Sequence, residues 1–187
     1  MKVVLASASP RRKELLSNVY RDFTVIKPSC EETVLPNPVK TVKNLSRTKA
    51  DCIDADFDIL ISADTIVVQK GKILGKPKDK TDAYDMLSSL QGKTHKVLTG
   101  VTIKYSKNGK IHHDTFCVTS RVLMKKMSDN DIITYINTGS PLDKAGSYGI
   151  QDGVVDSYRG SYTNIVGLPI EKLTKKLKHH HLIQEEL

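Results

Sequence analysis

Apolar residues along this chain fall into short continuous runs and helical repeats that take turns. Lys2-Val3-Val4-Leu5-Ala6 is an apolar run of strand length, and Ser9-Pro10 follows it with a capping side chain and a proline suited to the first helical position. A helix is expected from Pro10. Phe23-Thr24-Val25-Ile26 reads as a strand, and Asn37-Pro38 as a second capped start, with Val39, Val42, Leu45, Ala50 and Ile53 keeping the helical period to about Ile53. The run from Asp58 to Val68 is rich in β-branched residues and predicts a central strand buried on both faces. Asp79 to Leu90 predicts a helix with Ala83, Met86, Leu87 and Leu90 inward, closed by Gly92. Thr94 to Tyr105 and Lys110 to Leu123 are strand-like runs around Asn108-Gly109, a strong hairpin signal.

Further on, Ser128-Asp129-Asn130-Asp131 resembles a capping box and opens a helix through Ile132, Ile133 and Ile136 that stops at Gly139. Pro169 opens a last amphipathic helix with Ile170, Leu173 and Leu177 inward. Between these helices, residues 143–153 and 160–164 are polar, glycine-punctuated stretches that read as loops, either plain connectors or carriers of binding groups. No internal repeat or linker interrupts the 187 residues, so the expectation is one α/β domain, 1–187, with an antiparallel hairpin inside a mixed sheet and a cleft.

Composition narrows the chemistry. The chain carries 29 Lys and Arg against 21 Asp and Glu, a formal net charge of +8, which predicts attraction to anions. With no Trp and three Phe it is poorly supplied for stacking single-stranded bases, and no specific nucleic acid is expected. No apolar run is of bilayer length and no signal-peptide pattern is present, so a soluble cytosolic protein is expected. Cys30, Cys52 and Cys117 are odd in number and scattered, which favours reduced thiols over a disulfide framework. His95, His112 and His113 lack zinc-site spacing and read as surface or hydrogen-bonding residues.

Candidate chemistry begins at Leu5 to Arg12. A strand-to-helix turn leaves backbone N–H groups and a positive helix end facing outward, and Ser7, Ser9, Arg11 and Arg12 add hydroxyls and cations there. That suits a polyanion, although an ordinary capped helix with surface arginines has the same look. Glu31-Glu32 at a strand end is either a solvated acidic turn or a cation ligand. Asp64 is different in kind, because a carboxylate inside an apolar strand has to be paired, hydrogen-bonded or metal-bound. Lys49, at the edge of a helical apolar stripe, and Lys76, between Gly75 and Pro77, complete a set suited to a nucleoside triphosphate with a divalent cation. No GxxxxGK[ST] loop and no strand-borne GxGxxG is present, which excludes a P-loop NTPase and leaves a dinucleotide fold unsupported.

Ser7-Ala8-Ser9-Pro10-Arg11-Arg12, Glu32, Ala63-Asp64-Thr65, Gly75-Lys76-Pro77, Thr99-Gly100-Val101, residues 144–151 and residues 160–169 resemble the ordered motifs of the Maf family of nucleotide pyrophosphatases. The resemblance implies a fold similar to inosine triphosphate pyrophosphatase: an elongated mixed sheet flanked by helices, with two lobes and a central cleft. It implies hydrolysis of nucleoside triphosphates between the α and β phosphates with Mg²⁺ or Mn²⁺, and a homodimer. Matched motif to motif, Asp64 takes the proton-acceptor position, Glu32 and Asp64 face the metal, and Ser9, Arg12, Lys49 and Lys76 line the triphosphate. The chain resembles the branch acting on dTTP and UTP, where Arg12, Thr65 and Gln151 occupy specificity positions, with modified pyrimidine triphosphates as an alternative substrate class for the same reaction. The family's association with septum formation, with the +8 charge, supplies the alternative of a non-catalytic nucleotide- or nucleic-acid-binding regulator of cell division.

Overall fold

The computed structural model describes residues 1–183, and those residues build a seven-stranded mixed sheet flanked by helices. Its elements run β1 (Val3–Ala6), α1 (Pro10–Ser17), β2 (Thr24–Ile26), α2 (Pro38–Asp51), β3 (Ile59–Gln69), β4 (Lys72–Leu74) and α3 (Lys80–Leu90). They continue β5 (Thr94–Lys107), β6 (Lys110–Met124), α4 (Asp129–Asn137), β7 (Val155–Arg159), α5 (Tyr162–Val166) and α6 (Ile170–His179). Strand order is β2-β1-β3-β5-β6-β7, with β4 also paired to β3; β1 is parallel to both its neighbours and the remaining pairs are antiparallel.

The helix starts follow their caps. Asn37 accepts from Lys40 N at 3.0 Å, Asp79 from Asp82 N at 2.8 Å, and Ser128 and Asp131 form the reciprocal capping box. The β5–β6 hairpin turns at Asn108 and Gly109, with φ of 54° and 71°, the left-handed pair that a two-residue turn requires. Two features depart from the expected loops. Tyr162–Val166 is a short helix capped by Ser161, whose Oγ accepts from Asn164 N at 3.0 Å, and residues 140–152 contain three 3₁₀ turns. The added strand β7 has an exposed Val-Asp-Ser-Tyr-Arg sequence at the sheet edge, with too little apolar alternation to read as a strand.

Alternation along β3 sends Ile59, Ile61 and Ala63 toward α1 and α6, where they pack with Leu16, Leu173 and Leu177. Leu60, Ile66 and Val68 face α2 and pack around Ala50 and Val42. Farther along the same long strands, Val67, Val97 and Val122 pack instead with Leu87 and Leu90 of α3 and Ile132 and Ile136 of α4. Apolar clusters therefore sit at both ends of β3, β5 and β6, the two lobes of an elongated sheet.

Helix α2 lies directly on the sheet. Ser62 Oγ donates to Ser46 O at 2.6 Å, and Ser46 shares a hydrogen bond with Thr102 at 3.0 Å. Gly100 makes this approach possible, because a Cβ built there would stand 2.1 Å from Val42 O and 2.3 Å from Val42 C. In the lobe of α3 and α4, His95 is a buried hydrogen-bonding residue. Its Nε2 pairs with Tyr148 Oη at 2.7 Å with the rings edge to face, and burial holds its pKa down at about 4.

Two outcomes follow. Gly100→Ala should lower stability by about 2 kcal/mol or more, since backbone must move to admit one methyl, whereas Gly75→Ala, with nothing within 4 Å of its new Cβ, should stay within roughly 0.5 kcal/mol. Urea midpoints of the two variants check this. The second concerns pH: an unfolded chain protonates His95 near 6.5 and the folded protein near 4, so this contribution is complete above pH 6.5 and is lost as pH falls toward 4. The loss amounts to about 3 kcal/mol, and unfolding at pH 7 and pH 5 should show a shallower fall for His95→Gln than for the unsubstituted protein.

Candidate active site

The cleft arises from strand lengths. β1 ends at Ala6, opposite Ser62, while β4 begins its pairing with β3 at Val67. Residues 63–66 of β3 thus lack a strand partner along that edge, and a cleft of about 430 Å³ opens there. This point lies at the carboxyl end of β1, whose parallel neighbours are reached through α1 on one face and α2 on the other. Such a switch in topology leaves a crevice beyond the strand ends of an open sheet.

All eight residues singled out from the sequence line this cleft: Ser9 and Arg12 from the start of α1, Glu32 from the loop before α2, Lys49 from α2, Asp64 and Thr65 from β3, Lys76 after β4, and Gln151 from a 3₁₀ turn. Glu31, the other half of the acidic pair, is exposed and outside it. At the centre, Lys49 Nζ stands 2.5 Å from Asp64 Oδ1 and 2.9 Å from Glu32 Oε1. The Lys49 and Asp64 side chains are each 12% exposed and the Glu32 side chain 52%. The Lys49 ammonium is the partner that a carboxylate inside β3 demands. Asp64 Oδ2 takes no hydrogen bond among the described residues and is open to the cleft.

Two carboxylates gathered on one point are hard oxygen donors. Among the described residues no group of three or more His, Cys, Asp or Glu could hold a metal ion. This set does not fit a closed zinc site. It fits Mg²⁺ or Mn²⁺, which is held by one or two carboxylates, keeps several waters and takes further oxygens from substrate phosphates.

Arg12, expected both to line the triphosphate and to occupy a specificity position, is held by protein groups at the cleft wall. Its Nε donates to Gly167 O at 2.9 Å, Nη2 to Thr65 Oγ1 at 3.1 Å and Nη1 to Ser7 Oγ at 3.4 Å, so it ties α1 to β3 and to the turn after α5. Burial pushes its guanidinium pKa down, against the opposing pull of the Asp64 charge. Thr65 continues the chain to Thr99 at 2.9 Å, which donates to Asn164 O at 3.0 Å.

Cations outnumber carboxylates along the cleft: Arg11, Arg12, Lys27, Lys49, Lys76 and Lys144 against Glu32, Asp64 and Asp143. Arg11, Lys49 and Lys144 are ion-paired, Arg11 bridging to Asp143 at 3.1 Å. Lys27 and Lys76 have no ion pair among the described residues and offer free ammonium groups. Lys27 was not legible as a site residue. It follows Ile26, whose register partner is Ala6, so only the parallel β1–β2 pairing reveals that it sits beside the α1 turn.

Comparison with known proteins agrees with this architecture. The family model described as Maf-like protein matches residues 2–180. A dTTP/UTP pyrophosphatase of Thermoanaerobacter sp. (strain X514) is 46% identical over 185 residues, covering 95% of this chain and 96% of that one. A dTTP/UTP pyrophosphatase of Clostridium perfringens (strain 13 / Type A) is 41% identical over 191 residues, covering 97% and 98%. Among solved structures, the Ham1 protein of Staphylococcus aureus superimposes with a TM-score of 0.57 at 15% identity, over 96% of this chain and 100% of that one, a likeness of fold. With its motifs lining one cleft, a family model matched from residue 2 to residue 180 and relatives similar along nearly their whole length, the chain belongs to the Maf family.

Proposed function

We propose that this protein hydrolyses dTTP and UTP to the nucleoside monophosphate and pyrophosphate, with water attacking the α-phosphorus. The observation that carries the reading is the Asp64 carboxylate at the base of a cationic cleft, one oxygen held by Lys49 and the other open. Family membership and the names of the relatives support the same activity.

Position supports each role in this reading. Asp64 Oδ2 orients the attacking water and takes up its proton, while Lys49 holds the carboxylate in place through Oδ1. Glu32 and Asp64 would hold Mg²⁺ or Mn²⁺, which when bound neutralises charge on the phosphate chain. Ser9 and the first turn of α1 face the phosphates with a hydroxyl and backbone N–H groups; the Ser9 cap accepts from Arg12 N only at 3.5 Å, leaving the hydroxyl available. Lys76 and Lys27 pair with phosphate oxygens as the free cations of the cleft. Arg12 contributes positive potential from a fixed position and, with Thr65, sets the wall that meets the nucleoside. Gln151 presents an amide whose donor and acceptor match the O4 and N3–H edge of uracil or thymine. The protein works in the cytosol as a homodimer in this reading, with its cysteines as the free thiols seen here.

Purified protein incubated with UTP, dTTP, CTP and GTP in Mg²⁺ or Mn²⁺ should release pyrophosphate from the first two in preference. Orthophosphate release, or retention on heparin without hydrolysis, would contradict the reading and favour a non-catalytic binding protein. Asp64→Asn should reduce kcat on the order of 10²–10⁴-fold while the Kd for UTP, measured by titration, changes only a few-fold; substantial retained turnover would remove Asp64 from its role.

A further inference from the structure

Gln151 is exposed at the middle of a three-residue 3₁₀ turn, Ile150–Asp152, that no side chain caps. Both ends of the turn are instead tied to one phenol that lies outside the cleft, Tyr135 of α4. Gly149 N donates to Tyr135 Oη at 3.0 Å, and Tyr135 Oη donates to Asp152 Oδ2 at 2.5 Å. Ser140 Oγ donates to that same carboxylate oxygen at 2.7 Å, and the cleft residue Lys144 donates to Ser140 O at 2.5 Å. The clasp is tight: a Cβ at Gly149 would stand 2.8 Å from Asp152 Oδ2 and 3.0 Å from Lys144 Cε. Burial first, and then the bond to Asp152, push the Tyr135 phenol above its usual range, so it stays protonated and able to donate.

The chemistry of base recognition gives this clasp a purpose. Uracil presents a carbonyl acceptor beside an N–H donor, and cytosine presents an amino donor beside a ring-nitrogen acceptor. A glutamine amide turned over by 180° meets cytosine as well as it met uracil. Discrimination by such an amide therefore depends on its being held at one height and angle against the base.

We infer that Tyr135 is a positioning residue for base selection: its hydroxyl clasps both ends of the Gln151 turn and sets where the Gln151 amide meets a pyrimidine. The inference rests on the proposed reading of Gln151 as the residue that meets the base.

The test compares steady-state kinetics with UTP and CTP for the unsubstituted protein, Tyr135→Phe, Gln151→Ala and the double variant. Tyr135→Phe should raise KM for UTP about tenfold and cut the UTP-over-CTP ratio of kcat/KM by a similar factor, with kcat changed by less than about twofold. In the Gln151→Ala background it should change that ratio no further, since the two side chains act as one unit. Asp152→Ala should reproduce the loss and Asp152→Asn, which keeps an acceptor, should retain most of the preference, so the inference stays testable if Tyr135→Phe folds poorly. A ratio unchanged in Tyr135→Phe and Asp152→Ala but collapsed in Gln151→Ala overturns the inference and leaves the base reading intact. Equal loss of kcat for both nucleotides at an unchanged ratio marks a structural role and overturns it too. A ratio unchanged in Gln151→Ala removes the base reading and the inference together.

Discussion

A carboxylate set in the middle of an apolar central strand has to be met by a cation, and here Lys49 meets Asp64 at 2.5 Å. Most of the local architecture serves that contact. Asp64 faces α2 because β3 alternates, and Lys49 reaches it because α2 lies close against the sheet. That closeness depends on Gly100, the register partner of Asp64 on β5, which leaves no side chain between strand and helix. A pair so enclosed is weak evidence for stability, since desolvating two charges offsets much of their attraction. Its cost is better explained by function: it holds one oxygen of Asp64 still and leaves the other toward the cleft.

Around this pair the cleft divides its cations by task. Arg11, Arg12 and Lys144 are engaged by protein groups and fix the walls: Arg12 ties α1 to Thr65 and Gly167, Arg11 spans to Asp143, and Lys144 holds Ser140. Lys27 and Lys76, exposed and without ion pairs among the described residues, are the charges free to meet an anion. A polyanion entering this cleft would meet walls that are already set, so little ordering would remain to be done on binding. The gap in β3 pairing between Ser62 and Val67 gives such a substrate room without breaking the hydrogen-bonded sheet on its other edge.

The elements legible in the sequence were those whose signals are local. Ser9-Pro10, Asn37-Pro38 and Ser128 to Asp131 cap helices through contacts three residues away, and Asn108-Gly109 turns a hairpin through its own dihedrals. Asp64 stood out because a charge in a buried strand violates burial unless something meets it. What escaped were positions set by distant partners. Lys27 enters the cleft through parallel pairing of β1 and β2, and β7 exists because the β6 edge offers it hydrogen bonds in spite of its polar sequence. Arg12 reads from its motif as a triphosphate-lining and specificity residue, and its bonds to Gly167 and Thr65, 155 and 53 residues away, leave no mark in its neighbours. The stretch 143–153 read as a loop because glycines and polar residues dominate it, yet its Tyr148 is buried against His95 and its turn is fastened to α4.

In the proposed reaction, water attacks the α-phosphorus of a pyrimidine triphosphate. Hydrolysis of UTP in ¹⁸O-labelled water, with mass analysis of both products, tests it most directly. The label should appear in UMP and be absent from pyrophosphate. Label in the pyrophosphate would place attack at the β-phosphorus and contradict the account.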